Sequence, residues 1–364
     1  MATIYVGPTS AGAADGTSWA NRYGTLNASE DRPVQAGDTV MVGPGTYRET
    51  LTCDVSGSSG SPITYIGDYS GANTDGVGGV VRITGSDNDQ AAARANGITA
   101  SAKHYRTFRG FALDTTTGAT LNGTNSTDWI VDQIYFGTAQ GVSVDCNGAS
   151  QARWTVRNCY FPCTRLATSL YFNHSSGVND TGHVVENCLF PSGYIAVYFL
   201  RVGGGVVRNS LVYAQGQYGI LTNALTAGQF ITVNNCVITG CGSGLYAVSA
   251  GEIIEDYNTL YANETARTNV SIGVNSVAYP PLFDTRWFFE AVNGGSMVTP
   301  FDLASYSQLV NVAGTSPTTT DLRGTSVIGA QREWGALEYD PALLIEAGSG
   351  GGGAVSISPF RGNF

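Results

Sequence analysis

Apolar and polar positions recur along this chain without a helical period. A six-residue pattern, Val156-Arg157-Asn158-Cys159-Tyr160-Phe161, returns at 185–190, 207–212 and 233–238, with weaker copies at 108–113, 131–136 and 254–259. Taking the third position as reference gives residues 110, 133, 158, 187, 209, 235 and 256, so the steps are 23, 25, 29, 22, 26 and 21 residues. Between the hexads lie apolar pairs spaced by two: Ala119/Leu121, Val142/Val144, Leu170/Phe172, Val197/Phe199, Ile220/Thr222, Leu245/Ala247 and Val270/Ile272. Spacing by two places both members on one face of a strand. Two short strands per repeat of roughly 24 residues, joined by Gly, Asn, Ser and Thr turns, describe one coil of a solenoid. The predicted fold is all-β: a single-stranded right-handed parallel β-helix with N-terminal and C-terminal caps.

Within the hexad, positions one, four and six are apolar or Cys and are expected to face the core. Inward residues at one and four break strict alternation, so the chain must turn at position three. Asn, Asp and Gly tolerate the left-handed conformation such a turn requires. Asn158, Asn187, Asn209 and Asn235 are therefore expected to stack coil on coil, with Gly110 and Asp256 as variants. Position two is polar and is expected to face outward. It runs Arg109, Asp132, Arg157, Glu186, Arg208, Asn234, Glu255, and the first five alternate in sign. Strands about 4.8 Å apart would set these opposite charges against each other, a structural ladder that opposes slipped register and contributes about 0–1 kcal/mol per exposed pair.

The domain organisation expected is an N-terminal cap over 1–36, coils over 37–280, closing coils or a cap over 281–345, and a Gly-rich linker with a C-terminal tail over 346–364. The tail carries Ile357, Pro359, Phe360 and Phe364.

Composition narrows the function classes. Charged residues are 13% of the 364, against roughly a quarter in an ordinary soluble domain, while 42% are hydrophobic and 48 are Gly. That profile fits a folded, polar-uncharged chain. The net charge of −10 leaves no basic stripe for phosphates, so no nucleic-acid partner is expected. No stretch of about eighteen apolar residues suggests a membrane span, and the N-terminus lacks a conventional secretion signal. Most of the seven Cys, which show no C-x-x-C spacing, are expected to be buried thiols, although Cys159 and Cys188 fall on neighbouring coils within disulfide reach.

The segment Gly37-Asp38-Thr39-Val40-Met41-Val42-Gly43-Pro44-Gly45-Thr46-Tyr47-Arg48-Glu49, the Asn-centred hexads, and the ending around Asp321-Leu322-Arg323-Gly324 and Gly335-Ala336-Leu337-Glu338 resemble pectate-lyase-like parallel β-helix proteins. The resemblance covers most of 3–340. It implies the fold and leaves the activity open, since polysaccharide lyases, glycoside hydrolases, epimerases, adhesins and phage surface proteins share it.

A lyase of this kind is expected to use Lys or Arg as base, often with Ca²⁺. Lys103, the one lysine, sits in Ala102-Lys103-His104-Tyr105-Arg106, with Asp128 and Asp132 as the nearest acidic residues. A solvated loop is the competing reading. A hydrolase would group acidic residues on successive coils. The candidate there is Asp180 with His183, which resembles fragments of the polygalacturonase pattern but lacks its second paired Asp and its downstream Arg-x-Lys. His183 also shares the phase of Trp129 and Trp154, pointing to an aromatic stack. Asp68/Asp75 and Asp87/Asp89 are weak Ca²⁺ candidates, read as turn residues, and no cofactor is expected. Tyr135 and Tyr160 fall outward on adjacent coils as candidates for a glycan or a subunit contact.

With scarce Lys and His and no convergent acidic cluster, the expectation is a non-enzymatic structural protein on the surface of a phage-like virion. It would join other virion proteins through the C-terminal tail, with a homo-oligomer and a surface glycan as further contacts. The alternative is a carbohydrate-active enzyme, a polysaccharide lyase or glycoside hydrolase acting on acidic polysaccharide and exported by a non-classical route.

Overall fold

A computed structural model describes residues 1–31, 34–162, 167–175, 181–225 and 227–281. It is a parallel right-handed β-helix of about nine coils, each contributing one strand to each of three sheets. Sheet A holds Thr39–Val42, Ile63–Gly67, Arg106–Arg109, Trp129–Asp132, Thr155–Arg157, His183–Glu186, Gly205–Arg208, Ile231–Asn234 and Ile253–Asp256, one strand from each of coils 1 to 9, and Thr3–Val6 pairs ahead of the first. Sheets B and C follow in every coil and become continuous in coil 6, where Leu189–Leu200 runs through both.

The corner between sheets A and B follows from backbone sterics. Gly110, Gln133, Asn158, Asn187, Asn209, Asn235 and Tyr257 all have φ between 48° and 77°, and Asn187 Nδ2 donates to Asn158 Oδ1 at 3.2 Å. Asn pays less strain there than a branched residue and gains an amide partner one coil away.

The seventh corner is Tyr257, not Asp256, so the last hexad is 255–260 and its neighbours shift by one. Asp256 pairs with Asn234, while Glu255 pairs with Val233 on the inward column and leaves the outward ladder. Its carboxylate is fully buried and accepts from Arg267 Nε, Asn258 Nδ2 and Gly273 N at 2.8 Å each. An acid thus stands in the inward column of sheet A in this coil, while Leu260 of the same coil is still part of the core. In coil 9 the inward Leu column passes from Leu245 to Arg267, not to the Val270/Ile272 pair read from the sequence.

The earlier coils need a similar correction in sheet C. Leu121 pairs with Val144, and Val144 with Leu170, so the inward pairs are Leu121/Gly123 and Val144/Cys146. Gly123 escapes an apolar pattern because its side-chain space is taken: a Cβ there would lie 2.3 Å from the Trp154 indole.

Ring stacks fill the core along the axis. Phe136, Phe161 and Phe190 stack at 4.6 and 4.8 Å, and Trp129 lies on Trp154 at 4.7 Å. On the outer face of sheet A, Arg109, Asp132, Arg157, Glu186 and Arg208 stand in register. Asp132 meets Arg157 at 3.1 Å and Arg109 at 3.9 Å, and Arg208 meets Glu186 at 2.6 Å. Residues 282–364, including Ile357, Pro359, Phe360 and Phe364, lie outside the described residues.

Candidate active site on the outer face of sheet C

Once Gly123 and Cys146 count as inward, the residue between each inward pair of sheet C defines an outward column. It runs Asn122, Asp145, Tyr171, Tyr198, Leu221 and Tyr246, one per coil from coil 3 to coil 8. Beside it stand Asn147, Asn173, Leu200 and Asn223, also in register. Polar, aromatic and acidic groups thus follow one another along a single face.

Asp145 is the chemically distinct member. Asn147 Nδ2 donates to its Oδ2 at 2.6 Å and Asn122 Nδ2 at 3.5 Å, while Oδ1 is buried without a hydrogen-bond partner among the described residues. Burial pushes its pKa up, and the Asn147 hydrogen bond offsets part of the rise. Other acids go the other way. Asp89 is pushed down to about 2 by hydrogen bonds from Arg48 and Arg82, and Arg153 holds Asp128 low against its partial burial. A carboxyl that keeps its proton above the ordinary range, on an outward strand position, suits proton transfer.

Tyr171 is the next residue in register, and its ring lies 5.0 Å from that of Tyr198. Burial raises the Tyr171 pKa, helped by Tyr198 and Asp145, with Arg201 opposing. Asn223 Nδ2 donates to the Tyr198 hydroxyl at 3.2 Å.

The raised Asp145 pKa carries a stability cost. The folded state holds this proton at pH values where the unfolded chain has released it, so stability falls as pH rises from the unfolded carboxylate pKa through the folded one. Asp145→Asn removes that cost. The variant is expected to unfold at higher urea than the parent at neutral pH and at the same urea below the unfolded pKa, measured by fluorescence. Equal midpoints at both pH values would contradict the assignment.

The residues singled out from the sequence lie elsewhere. Lys103 is half-buried in the turn after the coil 2 strand Ile98–Ser101, and its carbonyl accepts from Trp129 Nε1 at 2.8 Å. Its nearest acids are occupied: Asp128 is gripped by Arg153 at 2.7 and 2.8 Å, and Asp132 by Arg157 and Asn158. Arg106, read as part of a solvated loop, points into the core. Asp180 lies outside the described residues. His183 is fully buried beyond Trp154, its ring 4.6 Å from Phe172, which closes it to a substrate.

Asp68 binds its own loop through Ser70, Asn73 and Thr74, and Asp87 is paired with Arg94. Among the described residues no three His, Cys, Asp or Glu side chains converge. Cys159 and Cys188 are buried free thiols, and burial raises the Cys159 pKa further. Tyr135 and Tyr160 pair on sheet B with rings 5.5 Å apart, and burial pushes Tyr160 up to about 12.

No family model matches the chain, and no curated protein matches it. Among solved structures it is similar to a pectate lyase at 14% identity and TM-score 0.54, covering 93% of this chain and 97% of the other. It is also similar to a rhamnogalacturonan lyase at 14% identity and TM-score 0.51, covering 94% and 98%. These likenesses show the pectate-lyase-like β-helix fold. They also correct the expectation of a non-enzymatic virion surface protein, since the structures matched over nearly the whole chain are those of a pectate lyase and a rhamnogalacturonan lyase.

Proposed function

We propose that the chain is a carbohydrate-active enzyme that cleaves an acidic polysaccharide by β-elimination on the outer face of sheet C. One observation carries the reading: Asp145, a half-buried carboxyl with a raised pKa at an outward strand position, accepts from two amides and stands in register with a tyrosine pair. The fold shared with a pectate lyase and a rhamnogalacturonan lyase supports it.

β-Elimination removes the proton on the carbon next to the uronate carboxyl and expels the glycosidic oxygen one carbon further on. Ionised Asp145 takes the proton, the C–H electrons form the new double bond, and the C–O bond breaks toward the leaving sugar. A carboxylate with a raised pKa is the stronger base. Asn122 and Asn147 each give one amide hydrogen to Asp145 and keep a second for the substrate carboxylate. Tyr171, whose raised pKa keeps it protonated at neutral pH, donates to the leaving oxygen.

Hydrolysis fits less well. A glycosidase uses two carboxyl groups flanking the bond. Among the described strands of sheet C, Asp145 is the one carboxylate.

The test is incubation with pectate and with rhamnogalacturonan, following both the ultraviolet absorbance of unsaturated sugars and the reducing ends. Both signals are expected to rise together, with the rate increasing with pH as Asp145 loses its proton. Reducing ends without unsaturation would replace elimination by hydrolysis. Neither signal on any uronate polymer would remove the reading.

A further inference from the structure

Tyrosines on sheet C continue well past the proposed reaction centre, and all on one side of it. Beyond the Tyr171–Tyr198 pair on coils 5 and 6, Tyr218 of coil 7 and Tyr246 of coil 8 place their rings 4.7 Å apart. Tyr218 stands on the strand Gln215–Asn223, which pairs with the strand Leu189–Leu200 that carries Tyr198, and burial raises its pKa, with Tyr246, Tyr194 and Tyr198 adding to the rise. Toward the N-terminal end the same column is Asn122, Thr99 and Thr52, with no aromatic ring. Asp145 therefore stands at the boundary between a polar half and an aromatic half of one face.

From this we infer, resting on the polysaccharide-cleaving reading, that Tyr171, Tyr198, Tyr218 and Tyr246 form a track holding a polysaccharide chain along the solenoid axis. One arm of the chain is held tightly on the C-terminal side of Asp145 and the other only loosely. The physical match is one of pitch. Successive coils repeat every ~4.8 Å, close to the rise of one sugar unit in an extended pyranose chain, so each coil can offer one sugar a surface. The paired rings lie 4.7 to 5.0 Å apart and cover much of each other's faces, so the half-buried tyrosines offer a sugar their apolar edges and their hydroxyls. The spacing makes length the specificity determinant. A chain spanning coils 4 to 8 gains every ring, whereas a short oligomer reaches Asp145 and touches only Tyr171 and Tyr198.

Two linked measurements test this with pectate and a graded series of oligogalacturonides. In the binding arm, the catalytically silenced Asp145→Asn chain is compared with the same chain also carrying Tyr218→Ala, Tyr246→Ala or both. Each ring removed is expected to weaken retention by pectate about three- to tenfold, with Ile254→Ala on sheet A having no effect. In the cleavage arm, the tyrosine variants in the otherwise intact chain are expected to lose kcat/KM on long oligomers and keep it on the shortest one cleaved. Thermal melts confirm that each variant is folded.

Pectate retention or long-chain kcat/KM unchanged by the tyrosine substitutions overturns the track while leaving Asp145 in place. Retention that follows the tyrosines without any cleavage by the intact chain overturns the Asp145 reading and supports the track. Absence of retention by the parent overturns the track.

Discussion

Asp145→Asn is expected to lower the rate of polysaccharide cleavage by about 10²–10⁴-fold while leaving substrate retention intact. The substitution preserves shape and the neighbouring amides but removes the group that accepts the proton. Asn147 and Asn122, which donate to Asp145 Oδ2, face a neutral amide oxygen in its place. The loss is expected in kcat with little change in KM, because proton transfer occurs only on the way to the transition state. A variant that also stops binding pectate would assign Asp145 to substrate positioning. A fully active one would remove it from the reaction. Lys103→Ala, in the turn after coil 2, is expected to stay within a few-fold of the parent.

The largest effect on stability is expected at Arg106. Its side chain is fully buried at the start of a sheet A strand, in the core column between Ile63 and Trp129. There it meets Glu30 of the short helix α1 (Asn27–Asp31), with Nη1–Oε1 at 2.6 Å and Nη2–Oε2 at 2.9 Å. Tyr65 OH and Asp54 N donate to the same carboxylate at 2.5 and 2.9 Å, and Arg106 Nε donates to Val55 O at 2.9 Å. This network ties α1 to coils 2 and 3 through the interior.

Arg106→Met leaves a buried carboxylate without its cation and is expected to cost about 3–5 kcal/mol in urea unfolding. Glu30→Met combined with Arg106→Met is expected to recover most of that, because replacing both charges by apolar groups of similar size avoids the desolvation penalty. The residual cost is the set of partners left by Tyr65, Asp54 and Val55. A double variant no more stable than Arg106→Met would show that the network holds α1 by more than charge pairing.

How much of this was legible in the chain depends on what each residue had to do. The corners were readable because a left-handed turn admits few residue types, and Asn158, Asn187, Asn209 and Asn235 mark it at the same phase in each coil. The register failed by one residue where Tyr257 took the corner, since a bulky residue at positive φ carries no signal of its own. Sheet C was harder. Gly123 faces the core because an indole from two coils away fills the space beside it, a fact local hydrophobicity does not contain.

The site was not legible for another reason. Alternation puts Asp145 outward with either Val142/Val144 or Val144/Cys146 as the inward pair, but only the register between coils shows that Asn122 and Tyr171 stand beside it. Its raised pKa arises from burial, which spacing along the chain does not reveal. Arg106 was misread for a related reason. It shares the phase of Trp129, but a charge in a core column is recognised only with its partner, and Glu30 lies 76 residues away.

The central claim is that the outer face of sheet C, centred on Asp145, is where a polysaccharide is held and cut. The most direct measurement is a crystal structure of the Asp145→Asn chain soaked with a long oligogalacturonide. Sugar density is predicted along Asn122, position 145, Tyr171, Tyr198 and Tyr246, running parallel to the solenoid axis. Density on sheet A or sheet B, or at the Lys103 turn, with the outer face of sheet C bare, would contradict the account.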